Sequence, residues 1–287
     1  MVLFPNCKIN LGLNIIRKRS DGFHDIETVF YPIRLHDALE IIPTEKNLQS
    51  SPPDRVSRAG ILNIQYSHSG LSIDSDESNN LCIKAFELLK KDFPRVASVK
   101  MHLHKTIPIG GGLGGGSSDA AFTLKMLDQK FNLGLTTKKL LDYALQLGSD
   151  GPFFIINKPC FASGRGEFLE PVKLNLSAFK FVIVNPQIHV STARAFSQTT
   201  LSLPLKPIKE IIQQPVETWR ADLKNDFEEI IFKQYPEIKT IKEKLYEAGA
   251  VYSSMSGSGS TVYGIFKIEK EVKLNFPSTY FVKELAG

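Results

Sequence analysis

Residues 108–121 read P-I-G-G-G-L-G-G-G-S-S-D-A-A, between a segment with the two-residue period of a strand and one with the spacing of a helix. Six glycines around Leu113 (Gly110, Gly111, Gly112, Gly114, Gly115 and Gly116) remove the Cβ atoms that would keep an anion off the backbone. The N–H groups at the start of the next helix, expected at residues 117–119, have no partner inside that helix and point toward such an anion. Strand, glycine turn and helix in that order predict a mixed α and β fold with a phosphate cradle built from Pro108, Ile109, the glycines, Ser117 and Ser118. No Lys precedes either serine, so the Walker pattern fails. Gly110, Gly112 and Gly115 satisfy G-x-G-x-x-G, but no acidic strand end follows about twenty residues later, which weakens a dinucleotide reading.

Upstream, residues 98–104 alternate Val99, Met101 and Leu103 against Lys100, His102 and His104, a strand whose histidine pair reads as solvent-facing because no third metal ligand accompanies it. Residues 81–92 carry Leu81, Ala85, Leu88 and Leu89 at helical spacing, after a strand at 61–66 and a polar loop at 67–80. At the N-terminus K-I-N-L-G-L-N-I-I (8–16) alternates, predicting a half-buried strand with Lys8 and Asn10 on its polar face. A turn at 20–25, strands at 27–34 and 38–43, and a long excursion at 44–60 follow.

Downstream, the helix at 117–131 shows Ala120, Leu124, Leu127 and Phe131 on one face with Asp119 near its start, and a second helix is expected at 137–147. L-G-S-D-G-P-F-F (147–154) puts Asp150 in a turn. An Asp before Gly is a turn former in its own right. Its alternative role is that of a base kept ionised by the charge of Lys8, which could also polarise a substrate hydroxyl. A composition change near 156 divides the chain into 1–156, which carries the expected phosphate cradle, and 157–287. The second half predicts strands at 179–185, 251–254, 261–267 and 279–284 and helices at 208–213, 219–233 and 237–248. Within it M-S-G-S-G-S (255–260), with Ser256, Gly257, Ser258 and Gly259, would alone be a tight turn, but with the first glycine loop it is a candidate flank of the same anion site.

The 287 residues, 42% hydrophobic and 23% charged, exclude disordered, collagenous and coiled-coil classes. A net charge of +5 suits anionic substrates without the clustered basicity of a nucleic-acid binder. Cys7, Cys82 and Cys160 form no C-x-x-C pair, so neither a disulfide framework nor a zinc site is suggested. No stretch approaches the ~20 apolar residues of a membrane span. A soluble, cytoplasmic protein is expected.

At four places together the chain resembles the GHMP kinase superfamily. K-x-N-L-x-L stands as Lys8-Ile9-Asn10-Leu11-Gly12-Leu13, D-G-[YF]-H as Asp21-Gly22-Phe23-His24, the Asn-Leu before the first helix as Asn80-Leu81, and P-x-G-G-G-L-G-G-G-S-S matches at every fixed position. The second and fourth motifs are similar to the branch that phosphorylates a cytidine-diphosphate-linked methylerythritol. The resemblance implies an α+β fold of two domains, a ribosomal protein S5 domain 2-like N-terminal half and a ferredoxin-like C-terminal half. It implies ATP as co-substrate with Mg²⁺, whose ligands stay unassigned, and Lys8 and Asp150 as catalytic residues. It also implies a cytidine site at Phe23 and Phe196, with polar contacts from His24 and Thr192, Asn10 at the methylerythritol end, and Asn80 and Lys105 near adenine. The expected partner is this small molecule, with no nucleic acid or membrane, in a monomer or weak dimer. Position 23 is Phe where Tyr is frequent, and Gly151 replaces a larger apolar residue, which predicts a looser turn. Another small-molecule kinase of the superfamily, or a non-catalytic anion or RNA-binding module, are the alternatives.

Overall fold

The computed structural model describes residues 1–44, 64–72, 79–199 and 204–287, so the 44–60 excursion lies outside the described residues from 45 onward. In chain order the strands and helices begin with β1 (Val2–Leu3), β2 (Asn6–Lys18), β3 (His24–His36), β4 (Ala38–Pro43), β5 (Ile64–Gly70), α1 (Leu81–Asp92) and β6 (Val99–Lys105). Next come α2 (Gly115–Phe131), α3 (Thr137–Leu147), α4 (Gly151–Ile156), β7 (Cys160–Ser163), β8 (Phe168–Pro171) and β9 (Phe179–Asn185). The chain closes with α5 (Thr192–Gln198), α6 (Ile208–Ile211), α7 (Trp219–Asp222), α8 (Phe227–Gln234), α9 (Pro236–Glu247), β10 (Tyr252–Met255), β11 (Val262–Lys267) and β12 (Phe281–Ala286).

By its internal contacts the chain forms two compact units, each discontinuous in sequence. The first holds Met1–Cys7, Leu35–Ile109 and Gly115–Asn157, and the second Lys8–Arg34, Gly110–Gly114 and Lys158–Gly287. A single cut at 156/157 therefore does not separate these two units, because residues 8–34 and 110–114 pack with the C-terminal residues.

In the first unit the sheet order is β1-β4-β6-β5. β4 pairs antiparallel with β6, aligning Leu39 with Leu103 and Ile41 with Met101, and these four side chains form one buried face. β5 runs parallel to β6, an arrangement that needs a crossover, and α1 supplies it. Asn80 starts α1 by accepting from the N–H groups of Cys82 and Ile83, and Lys90 and Lys91 sit in its last turn, where cations oppose the helix dipole. The strand expected at 61–66 is described from Ile64 and runs on to Gly70, so residues 67–70, read as loop, are strand; their hydroxyls meet the histidine pair. Ser67 Oγ lies 2.8 Å from His102 Nδ1, and Ser69 Oγ lies 2.9 Å from both His102 Nε2 and His104 Nδ1. α2 begins at Gly115, two residues before the expected start. A Cβ on Gly115 would stand 3.0 Å from Ile107 and from Lys105 Nζ, so glycine lets the helix start close against the end of β6.

In the second unit β2, β3, β7 and β8 form one sheet and β10, β11, β9 and β12 another, β9 being antiparallel to both of its neighbours. Val182 and Val184 of β9, Phe227 of α8, Ile238, Ile241 and Leu245 of α9 and Phe266 of β11 share one core. β2 departs from its expected half-burial: Lys8, Asn10 and Asn14 are buried along with Ile9 and Leu11. Its polar face is covered too, and the Asn10 amide finds a hydrogen-bond partner there in Thr28. The helix expected over 219–233 is interrupted at 223–226. There Leu13 N–H donates to the Lys224 carbonyl at 2.8 Å and Asp226 N–H to the Leu13 carbonyl at 2.9 Å, while Asp226 accepts from Ile15 N–H at 2.7 Å. Asn225 and Asp226 offer the backbone an alternative to the helix, and pairing with β2 takes it.

Candidate active site

Lys8 and Asn10 project from the same face of β2, as residues two apart in a strand must. Lys8 Nζ donates to Asn10 Oδ1 at 2.6 Å and lies 4.8 Å from the centre of the Phe30 ring, while only 3% of the residue is exposed. Asn10 Nδ2 donates to Thr28 Oγ1 at 3.0 Å, Thr28 Oγ1 donates to the Gly12 carbonyl at 2.5 Å, and Tyr263 OH donates to the Asn10 carbonyl at 2.8 Å. Asn10 N–H donates to Ser256 Oγ at 3.3 Å. The lysine's ammonium is thus oriented by a residue that Thr28, Tyr263 and Ser256 hold in turn. Thr28 and Tyr263 belong to this nest although no pattern in the sequence singles them out.

The two glycine loops meet inside the second unit. Ser256 Oγ donates to the Gly112 carbonyl at 2.8 Å, Thr261 N–H to the Gly111 carbonyl at 3.3 Å and Lys8 N–H to the Leu113 carbonyl at 3.0 Å. Asn225 Nδ2 donates to the carbonyls of Met255 and Gly257 at 2.8 Å, tying the second loop to the break between α7 and α8. Gly110, Gly112 and Gly114 have φ of +66°, +78° and +69°, so left-handed residues recur at every second position, the backbone habit of anion-binding nests. The missing side chain at Gly112 has a further reason: a Cβ there would stand 2.0 Å from the Ser256 carbonyl oxygen. At Gly111 it would meet Asn185 Nδ2 at 2.6 Å and Thr261 Oγ1 at 2.7 Å. These two glycines serve loop packing; Gly110 and Gly116 are both exposed, with nothing closer than 3.7 Å to such a Cβ at either.

In the first unit Lys105, expected near adenine, is not a surface cation. It is 4% exposed and its ammonium bonds to the carboxylates of Asp37 and, at 2.8 Å, Asp119. Asp37 Oδ1 also accepts from the N–H groups of Thr106 and Ile107 at 2.6 and 2.8 Å, so this buried trio braces the turn leaving β6. Burial pushes the Asp119 carboxyl up to about 7, with Lys105 opposing and Asp37 assisting. Burial lowers the Lys105 pKa, but the two carboxylates more than offset it and the net shift is upward. Ser118 Oγ and Asp119 Oδ1 are buried without hydrogen-bond partners among the described residues, whereas Ser117 is half-buried. Pro108 is buried and Ile109 is 53% exposed. Asn80 is committed to capping α1 and donates to Tyr66 OH at 2.9 Å.

Asp150 is half-buried at the N-cap of α4 and makes no side-chain bond to that helix's N–H groups. Gly151 does not loosen the turn. A Cβ on it would lie 2.5 Å from the Ala144 carbonyl oxygen, so the start of α4 sits directly against α3 and a larger residue has no room.

Of the aromatic residues, His24 and Phe196 come together, stacked at 4.7 Å and 14°, and Phe196 meets Phe227 edge-on at 4.8 Å. Burial, with the charge of Lys18, lowers the His24 pKa and favours a neutral ring. Phe23 is 52% exposed and carries the Arg165 guanidinium 4.8 Å from its ring centre. Arg165 lies in the turn 164–167 and had no signal beyond that turn. Thr192 Oγ1 is 2.8 Å from Ser258 Oγ, joining the start of α5 to the second glycine loop.

The chain matches the family model of the GHMP kinases N terminal domain over residues 80–158 and that of the GHMP kinases C terminal over residues 208–279. A Bacteroides fragilis protein named 4-diphosphocytidyl-2-C-methyl-D-erythritol kinase is 48% identical over 281 residues, 98% of this chain and 97% of its own. A crystal structure of 4-(cytidine 5'-diphospho)-2C-methyl-D-erythritol kinase superposes over 100% of both chains with a TM-score of 0.77 and 27% identity. The Methanococcus jannaschii mevalonate kinase superposes over 100% of this chain and 98% of its own with a TM-score of 0.64 at 14% identity, a likeness of fold.

Proposed function

The chain belongs to the GHMP kinase family, and on that premise we propose that it transfers the γ-phosphoryl group of ATP to the 2-hydroxyl of 4-diphosphocytidyl-2-C-methyl-D-erythritol, in non-mevalonate isoprenoid precursor synthesis. The observation that carries the substrate is 48% identity along 98% of the chain to a kinase named for it.

Phosphoryl transfer asks a protein mainly to position the acceptor and to stabilise charge. In this reading Asp150 accepts the proton of the acceptor hydroxyl as that oxygen bonds to the γ-phosphorus and the bond from that phosphorus to the bridging oxygen breaks, releasing ADP. Lys8, aimed by Asn10, offsets the charge that develops. The N–H groups of the nest at 110–114 and of the first turn of α2 take the phosphate oxygens. His24 and Phe196 supply a stacked aromatic wall for the cytosine, with Phe23 as a second face and Thr192 as a polar contact. Mg²⁺ would be held through Ser118 Oγ, a hard oxygen without a partner among the described residues, since this ion takes one or two protein oxygens and otherwise phosphates and water. When bound, it neutralises charge on the β- and γ-phosphates.

Transfer from labelled ATP to a panel of the cytidylyl substrate, mevalonate, homoserine and galactose tests the proposal. Turnover of the cytidylyl substrate should exceed the others by orders of magnitude. Comparable rates with mevalonate or homoserine would leave the family standing and remove the substrate.

A further inference from the structure

Helix α4 has six residues, too few to hold its own shape in water, so its placement is set by what grips its ends. Asp150 stands at its N-cap. At the other end Asn157, in the left-handed region at φ 52°, donates its N–H to the Phe153 carbonyl at 2.6 Å. The next carbonyl, that of Phe154, accepts from Lys125 Nζ on α2 at 2.7 Å. The same ammonium lies 4.9 Å from the centre of the Phe122 ring. Burial alone lowers the Lys125 pKa to about 8, with no charged group contributing. The ammonium is half-buried against one carbonyl and one ring face. A cation there satisfies a C-terminal carbonyl and opposes the helix dipole. Between the two ends the Phe153 and Phe154 rings are fully buried and packed edge to face at 5.1 Å, and Gly151 abuts the Ala144 carbonyl, so α4 has no slack.

We infer that Lys125 is a positioning residue for phosphoryl transfer: by holding the Phe154 carbonyl it sets the placement of α4 and hence of the Asp150 carboxylate at the opposite end. The inference rests on the reading of Asp150 as the base. Misplacing a reacting group by about an ångström costs up to roughly 10²-fold in rate without altering binding. The loss should therefore fall on kcat.

The test compares Lys125→Met, Lys125→Arg and Asp150→Asn in the full-length enzyme with the cytidylyl substrate and ATP. The expected result is a kcat at least about tenfold lower in Lys125→Met with both KM values within about twofold of wild type. Lys125→Arg, which keeps a charged donor, should restore most of the rate. Should the Met variant not be recovered folded, kcat against pH decides: the wild type should lose rate above about pH 8 as Lys125 gives up its proton, and Lys125→Arg should not. A full kcat in Asp150→Asn would overturn the base reading and this inference with it. A loss in Asp150→Asn with none in Lys125→Met, a loss appearing in KM, an Arg variant as slow as Met, or the same alkaline limb in wild type and Arg variant would overturn this inference alone.

Discussion

Phe23 and Phe196, which the family resemblance pairs as two faces for one pyrimidine, have different surroundings. Phe196 is gripped by His24 on its face and Phe227 at its edge, whereas Phe23 is half in solvent under Arg165. Their substitutions should therefore separate. Phe23→Ala should change stability by no more than about 0.5 kcal/mol, as for an exposed position, while weakening the cytidylyl substrate by about 1–3 kcal/mol, the worth of base stacking. Phe196→Ala should lose affinity similarly and also about 1 kcal/mol of stability with its aromatic pairs. Calorimetry and thermal melts read both quantities. Stability loss without affinity loss in either variant would make it a packing residue only. The alternation along β2 is enough to make Lys8 and Asn10 neighbours on one face; the groups that aim them, Thr28, Ser256 and Tyr263, come from distant segments and leave no mark in spacing.

Among elements, the glycine loop divides into positions that pack and positions that are open. Gly112→Ala places a Cβ on the Ser256 carbonyl at a residue whose φ of +78° already disfavours it, so the variant should melt markedly lower than wild type. Gly116→Ala, on a helical glycine with Leu81 at 3.7 Å, should melt near wild type or slightly above, since alanine favours helix. Equal melting temperatures for the two would mean that the loops at 110–114 and 255–260 do not pack as described. Strands and helices with strong periodicity, such as α1, α3, β6 and β9, lie where the sequence places them within a residue or two. The helix over 219–233 does not survive intact because its apolar spacing says nothing of β2, which claims the backbone at 224–226.

For the whole molecule, the buried trio of Asp37, Lys105 and Asp119 couples stability to pH. The Asp119 pKa of about 7 in the folded chain lies above its unfolded value of 3.8, so between those values the folded state binds the extra proton. Its contribution favours folding below about pH 4 and is lost as pH rises through about 7. Asp119→Asn lacks this loss. Its melting temperature relative to wild type should climb between about pH 4 and 7 and then level off. A difference that stays constant across that range would show that Lys105 keeps the carboxylate ionised throughout.

Local order is what the sequence determined by itself: the periods of strands and helices, the two glycine loops, and the succession of motifs from Lys8 to Gly259 that marks the family. Each of these is written in residues a few positions apart, where backbone geometry alone dictates the pattern. Tertiary structure decided the rest. The neighbours that bury both faces of β2, the carboxylates that take Lys105 out of solvent, the carbonyl that forbids a side chain at Gly112 and the lysine that closes the far end of α4 all arrive from segments remote in the chain. Contacts of that kind depend on which surfaces fold against each other, and no local spacing encodes them.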